Sequence, residues 1–140
     1  MKFFFDNCIS SNLTEAMRLL SAPVHEVQHL KGRFPEDTLD EVWLPQVAAE
    51  TGLIIVSADP AITKAKKERE IWRRTGLTSF FFGGGFAGLS VWPQIAEVVN
   101  WWPEIVREAK GAQEGTGFLL PLRGSKKGPR LIYEPFTGDA

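Results

Sequence analysis

The chain has 140 residues, of which 44% are hydrophobic and 11% aromatic, and its formal net charge is −1. A chain of this size buries one core without disulfides, and its single cysteine excludes both an internal disulfide and a cysteine-rich metal site. We therefore predict one domain over residues 1–140. Because polar residues end the N-terminal apolar run after Phe5, we predict no signal peptide, no membrane span and a cytoplasmic location.

The first half of the chain alternates between strand and helix patterns. Lys2 to Phe5 predict a buried strand, and a later helix has an uncertain start because Pro45 would clash with the carbonyl four residues earlier if the helix began at Glu41. The predicted elements are a strand over residues 2–5, a helix from Ser11 or Asn12 to about Leu20, a half-buried strand over 24–30 and a helix that stops near Glu50.

The second half continues the alternation. Leu53 to Val56 form an unbroken β-prone run that suits a central strand covered on both faces. The elements after it are a helix from about Ala61 to Thr75, a strand over Leu77 to Phe82, a glycine-rich loop over 83–88, a long helix from Ser90 to Ala109 interrupted at Pro93 and Pro103, and either a terminal strand pair or one extended strand over 117–140.

Alternating strands and helices favour an α/β fold, with a central, mostly parallel sheet between helices in a three-layer α/β/α sandwich. Four acids follow or begin the predicted elements, namely Asp6, Asp40, Glu41 and Asp59. The carboxyl ends of parallel strands converge on one crevice, where clustered carboxylates need a cation such as Mg²⁺ or Mn²⁺. Such ions commonly bridge carboxylates to phosphates, so the pattern indicates a metal-dependent nuclease. Helix caps are the alternative role for each aspartate.

Three segments then resemble one known family. Residues 2–7, 34–45 and 54–62 have the sequences KFFFDN, FPEDTLDEVWLP and IIVSADPAI. They resemble the PIN-like domain family, and most closely its compact prokaryotic members related to VapC-type toxins. The resemblance covers about residues 1–82 and implies a parallel sheet, a Mg²⁺ or Mn²⁺ site and endoribonuclease activity against RNA. It also implies a toxin paired with an antitoxin protein; a homodimer is a further expectation.

Carried onto this chain, the resemblance makes Asp6, Asp40 and Asp59 the catalytic acids and adds Glu41 to the metal ligands. Asn7 and Ser57 would support the site and contribute to substrate binding. Two features depart from the family pattern. The strand ending at Phe82 is followed by glycines instead of a fourth acid, and the residues just before Asp59, Ser57 and Ala58, include no basic residue. A catalytically degenerate module that binds RNA or protein therefore stays open as the alternative.

Charge is separated along the chain. Residues 36–50 contain five acids and no Lys or Arg, residues 64–74 contain six bases and two acids, and a second basic stretch covers 123–130. Arg69 and Arg73, four residues apart on one helix face, are our preferred phosphate contacts, with structural salt bridges to Glu68 or Glu70 as the alternative. His25 and His29 lie in a predicted strand and are not expected to form a metal pair.

Overall fold

A computed structural model of the chain describes residues 1–50, 52–59, 61–122 and 128–138. Arg123, Lys126 and Lys127 of the predicted second basic stretch lie outside these residues. Among the described helices, none combines the length and the apolar character needed to cross a bilayer.

Six strands and five α-helices alternate along the described chain. The strands are β1 (Lys2–Phe5), β2 (Glu26–His29), β3 (Leu53–Ser57), β4 (Thr78–Phe82), β5 (Gly117–Leu120) and β6 (Arg130–Tyr133). The helices are α1 (Ser11–Ser21), α2 (Asp40–Ala48), α3 (Ala61–Lys64), α4 (Lys66–Arg74) and α5 (Val91–Gly111), and a 3₁₀ turn spans Leu30–Gly32.

The strands form one sheet in the order β2-β1-β3-β4-β5-β6. All neighbouring pairs are parallel except β5 and β6, which are antiparallel. The chain places β2 on one side of β1 and then returns to place β3 on the other side. In open α/β sheets, the carboxyl ends of the strands at such a reversal form the usual binding crevice. The crevice of this sheet therefore lies beyond the ends of β1 and β3.

Helices cover both faces of the sheet, because successive side chains in each strand point to opposite sides. Phe3 and Phe5 face α1 and α5, in a core that also contains Val56 and Trp101. Phe4 faces α2, α3 and α4, in a second core with Trp43, Ile55 and Trp72. This arrangement confirms the predicted three-layer α/β/α sandwich with a mostly parallel sheet.

Two helix predictions were wrong in detail. The helix predicted from Ala61 to Thr75 breaks at Ala65, whose backbone is extended (φ −118°, ψ 111°). The Arg69 side chain donates from Nε to the Ile62 carbonyl at 3.0 Å and so satisfies a group that a continuous helix would have bonded internally. The long helix α5 is not interrupted: Pro93 lies in its first turn, where an N–H has no helical partner, and α5 continues through Pro103.

The uncertain start of α2 is settled at Asp40, with Pro45 inside the helix. The N–H groups of Val42 and Trp43 both donate to the carbonyl of Leu39, at 2.9 and 3.2 Å. The first turn of α2 therefore has its backbone hydrogen bonds in place before Pro45, which has no N–H to donate to the helix. At the other end of the chain, the alternative of a terminal strand pair is the correct one, because β6 runs antiparallel beside β5.

Candidate active site

The crevice at the carboxyl ends of β1 and β3 contains two of the predicted acids. Asp6 directly follows β1, and its backbone N–H donates to the carbonyl of Val56 on β3 at 2.9 Å. Asp59 lies two residues beyond the end of β3 and is half-buried. The side chain of Asp59 caps α3, accepting the N–H of Ala61 at Oδ1 (2.9 Å). Asp59 therefore has the capping contact of the helix-cap alternative, and because this contact uses only one oxygen, its role as a metal ligand stays a prediction.

Asp6 is buried, with 5% of its surface exposed, and three donors surround its carboxylate. Oδ1 accepts the N–H of Asn7 at 2.6 Å. Oδ2 accepts the Ser57 hydroxyl at 2.8 Å and the Cys8 thiol at 3.3 Å. A buried carboxylate needs such donors, because burial without hydrogen bonds carries a large free-energy cost. The orientation of Asp6 is consequently fixed.

Ser57 connects the two acids. Its hydroxyl donates to Asp6, and its oxygen accepts the backbone N–H of Asp59 at 3.2 Å. The serine is fully buried at the last position of β3, so it has little freedom to turn away. Ser57 therefore lies beneath the two acids and hydrogen-bonds to both, and its predicted contact with substrate stays a prediction.

Asp40 comes to the site from α2 and is held by two tryptophans. The indole Nε1 of Trp43, one turn along the same helix, donates to Oδ1 at 3.1 Å. The indole Nε1 of Trp72, on α4, donates to Oδ2 at 3.2 Å. Both indoles are fully buried. The carboxylate of Asp40 therefore has a fixed plane as well as a fixed position.

The charges of Asp6 and Asp59 act on the neighbouring carboxyl groups. Burial, followed by the charge of Asp6 and to a smaller extent that of Asp59, raises the pKa of Asp40 to about 6, against the opposing hydrogen bonds from the two indoles. Burial also raises the pKa of Asp6, and the charge of Asp59 adds to the rise. A cation bound near these groups would offset the repulsion and favour their ionised form.

Cys8 is a neighbour of the site that the sequence analysis missed. Its sulfur lies 3.3 Å from Oδ2 of Asp6 and 3.5 Å from Oγ of Ser57. Burial, together with the charge of Asp6, raises the pKa of this thiol to about 12. At neutral pH Cys8 is therefore a protonated donor to Asp6 and not a thiolate nucleophile. A lone cysteine two residues after an acid has no distinguishing sequence signal.

Glu41, the fourth predicted ligand, is exposed. With Asp40, Glu68 and other residues it lines a cavity of about 320 Å³ at the start of α2. It also lines, with Leu44 and Ile71, a larger groove of about 560 Å³ between α2 and α4. Glu41 is thus exposed beside Asp40, whereas Asp6 is buried and Asp59 is half-buried.

The three aspartates fit a hard divalent ion in donor type. Oδ1 of Asp6 and each oxygen of Asp40 accept one described hydrogen bond, and a carboxylate oxygen has two lone pairs. Within the described ranges, no three His, Cys, Asp or Glu side chains are arranged to enclose a metal ion by themselves. Mg²⁺ commonly takes one or two carboxylates and completes its coordination with water and substrate phosphate, so the donor set suits an ion held in that way.

The predicted substrate contacts occupy different surroundings. Asn7 donates from Nδ2 to the carbonyl of Glu36 at 2.8 Å and so ties the loop before α2 to the turn after β1. Arg69 is bonded to the carbonyl of Ile62. Arg73 forms a two-pronged ion pair with Glu70, at 2.8 and 3.0 Å, and its guanidinium lies over the ring of Phe136. Arg73 therefore makes the salt bridge of the alternative, and its contact with phosphate stays a prediction.

The two histidines do not form a pair. His25 contacts the N-terminal ammonium through Nδ1, and His29, at the end of β2, contacts the carbonyl of Ile9 through Nε2. Of the tryptophans on α5, Trp101 is fully buried and Trp102 packs on Phe3 and Phe5. Packing is therefore the role of these two indoles.

A family model described as "PIN like domain" matches residues 1–84. The matched region contains β1 to β4 and all four predicted site acids. No curated protein and no solved structure gives a significant match to the chain. PIN domains are generally nucleases and typically use divalent metals, so the match assigns a nuclease-type fold. Because the matched region covers more than half of the 140 residues, the chain belongs to the PIN-like domain family.

Proposed function

We propose that this protein is a metal-dependent endoribonuclease that hydrolyses RNA phosphodiester bonds with Mg²⁺ or Mn²⁺. The observation that supports this proposal is that the charges of Asp6 and Asp59 raise the pKa of Asp40, and that the charge of Asp59 also raises the pKa of Asp6. Perturbed acids in a crevice are typical of functional sites, and a cation offsets their repulsion. Membership of the PIN-like family supports the same reaction class.

In this proposal each residue has a separate task. Asp6, Asp40 and Asp59 hold the cation, which when bound would activate water and stabilise negative charge on the phosphate. Ser57 and Cys8 orient Asp6, and the α3 cap orients Asp59. The exposed Lys64 and Lys66, which follow Asp59 on α3 and α4, would contact flanking phosphates together with Arg69 and Arg73. Glu41, which is exposed beside Asp40, would influence the cation through its charge.

The test is cleavage of a mixed RNA pool by purified protein with Mg²⁺, with Mn²⁺ or with chelator. Asp6→Asn is the most informative variant, because its amide oxygen can still accept the N–H of Asn7 while its NH₂ group can donate to Ser57. We expect this variant to fold and to lose at least about a hundredfold in cleavage rate, since it removes a charge from the metal site. Asp37→Asn, at an exposed position of the adjacent loop, is the matched control and should cleave like the wild type.

A binding module without turnover is the second candidate function. It is favoured by one observation: within the described residues the acids do not form a complete three-ligand metal cage. In that case the wild-type protein would bind RNA or a protein partner, no metal would produce cleavage, and Asp6→Asn would bind as the wild type does. Absence of cleavage by a natively folded wild-type protein would overturn the nuclease proposal.

Two partners belong to the proposal. The first, through the resemblance to toxin nucleases, is an antitoxin protein that covers the acidic crevice and inhibits cleavage. The second, a separate expectation, is another copy of this chain in a homodimer. Light scattering of the purified protein tests the homodimer, and a monomer mass across the working concentration range would contradict it.

A further inference from the structure

The carboxylate of Asp40 is held by an unusual pair of donors. Trp43 and Trp72 each direct an indole N–H at a different oxygen, at 3.1 and 3.2 Å. The two rings meet edge to face, with centroids 5.6 Å apart and planes at 83°. We call these two residues and their hydrogen bonds the indole clamp. Because an indole nitrogen only donates, the clamp requires an acceptor at both oxygens of residue 40.

The clamp is rigid because its two members are anchored in the core. Trp43 packs on Phe4 of β1 at 5.7 Å between ring centroids, and Trp72 packs edge to face on Phe81 of β4 at 5.0 Å. Neither indole has exposed surface. Asp40 itself is at the start of a helix whose N-cap residue, Leu39, provides no side-chain hydrogen bond. The position of the carboxylate is therefore set by the two indoles together with the backbone of α2.

We propose that Trp43 and Trp72 are positioning residues for the metal site, which aim the carboxylate of Asp40 at the cation bound beside Asp6 and Asp59. This inference rests on the proposed metal-dependent function. Residues that hydrogen-bond metal-ligating carboxylates orient them, and replacing such residues typically lowers metal affinity or activity by 10- to 100-fold. The clamp also links the site to the sheet, because its anchors Phe4 and Phe81 lie on strands β1 and β4.

The clamp explains why Asp40 cannot be probed like Asp6. In Asp40→Asn, one indole N–H would donate to the amide oxygen, whereas the other would face the amide NH₂, which is also a donor. That buried indole N–H would lose its acceptor, and this loss alone would lower the stability of the folded protein. The clamp is better tested from the tryptophan side.

The experiment compares Trp43→Phe and Trp72→Phe with Trp101→Phe. Trp101 is a matched control because it is also fully buried and donates its indole N–H, to the carbonyl of Pro121 at 3.0 Å, but it packs on the opposite face of the sheet. Urea unfolding shows that each variant is folded and measures its stability. Mn²⁺ affinity is measured by electron paramagnetic resonance of free Mn²⁺, without substrate, and kcat and KM are measured on RNA.

We expect the two clamp variants to bind Mn²⁺ about tenfold or more weakly and to lose kcat with little change in KM. Trp101→Phe should retain Mn²⁺ affinity and kcat even if its free energy of unfolding falls as much as that of the two clamp variants. A further readout uses the wild-type protein alone: titration with Mg²⁺ should shift the indole ¹H–¹⁵N signals of Trp43 and Trp72 and leave that of Trp101 in place. The three variants assign these signals among the five tryptophans.

Two results would overturn the inference in distinguishable ways. If the wild type binds Mn²⁺ and cleaves RNA while the folded clamp variants match Trp101→Phe in affinity and kcat, the clamp has only a structural role and the proposed function stands. If the wild type neither binds Mn²⁺ nor cleaves RNA, the proposed function fails and the positioning role fails with it. Should Trp43→Phe not fold, Trp72→Phe and the Mg²⁺ titration decide the question.

Discussion

At the scale of single residues, the raised pKa values of the site carboxyls have a consequence for stability. Asp6 and Asp40 hold protons more tightly in the folded protein than in the unfolded chain, where aspartates titrate near pH 3.9. The contribution of these protons to the free energy of unfolding is fully present below about pH 4, where the carboxyls are protonated. It is lost as the pH rises through about 6, the pKa of Asp40. The metal-free site is thus expected to favour the folded state most at acidic pH.

We predict that, in the presence of chelator, the free energy of unfolding falls by about 1 kcal/mol between pH 5 and pH 7, because Asp40 loses its proton over this range. Solvent screening makes this fall somewhat smaller than the full contribution of one titrating carboxyl. The lowered pKa of His25, caused by burial and the N-terminal ammonium, acts in the opposite direction, so the comparison uses His25→Gln. Urea unfolding at several pH values measures the change. A flat or rising profile would contradict the prediction, and saturating Mg²⁺ should diminish the fall.

The sequence was sufficient to locate the acids but not their hydrogen-bond partners. Asp6 and Asp59 each follow an apolar strand, and parallel strands have their carboxyl ends at the same edge of a sheet. The alternation of strands and helices was therefore enough to predict that the two acids lie at one edge. Trp43 lies three residues after Asp40, a spacing that places two helical side chains on one face. Trp72 is 32 residues away, and its hydrogen bond to Asp40 depends on how α4 packs beside α2. No periodicity in the sequence carries that information.

At the scale of secondary-structure elements, the pairing of β5 with β6 depends on one glycine. Gly117 faces the ring of Tyr133 so closely that an added Cβ would overlap three ring carbons. The register between the two strands also shifts next to Gly117. A side chain at residue 117 would therefore push Tyr133 out of the core cluster that it shares with Phe81 and Trp72.

We predict that Gly117→Ala lowers the free energy of unfolding by about 1–3 kcal/mol, the usual cost of inserting a methyl group into a packed core. Gly111→Ala is the matched control, because Gly111 ends α5 and a Cβ there meets no atom within 4 Å. Alanine should raise stability at that position, by up to about 1 kcal/mol. Denaturant unfolding measures both variants, and equal effects of the two changes would contradict the steric explanation.

Local patterns predicted the apolar strands better than the helix boundaries. The runs in β1, β3 and β4 are unbroken and apolar or β-prone, so their positions were correct within one residue. The break at Ala65 was not predictable, because the Arg69 side chain replaces a backbone donor there. The continuity of α5 through Pro103 was missed for a related reason: Trp101 and Ile105, on either side of the proline, are both fully buried and hold the helix on the sheet.

At the scale of the whole molecule, the family match and the folding unit differ in extent. The match ends at residue 84, yet α5 and β5 lie beyond it. Val98, Trp101 and Ile105 of α5 cover the sheet face that contains Phe3 and Phe5. Residues 1–84, which contain the proposed metal site, therefore need α5 to cover one face of their sheet.

We predict that a fragment of residues 1–84 does not fold, because it would expose one face of the sheet to water. Removing a single buried Trp side chain from a core costs about 3–5 kcal/mol, and a whole domain is stabilised by about 5–15 kcal/mol. Circular dichroism and urea unfolding of the fragment, beside the full chain, provide the measurement. A cooperative unfolding transition in the fragment would contradict the prediction.

The strand order also has a consequence for how the protein is synthesised. β1 lies between β2 and β3 in the finished sheet, but its residues leave the ribosome before those of either neighbour. Phe3, Phe4 and Phe5, all fully buried at the end, gain their second strand partner only when residues 53–57 have been made. Exposed apolar strands are the usual origin of aggregation during folding. The nascent chain must therefore shield three phenylalanines from water, by local collapse or by a chaperone, before its central strand has neighbours.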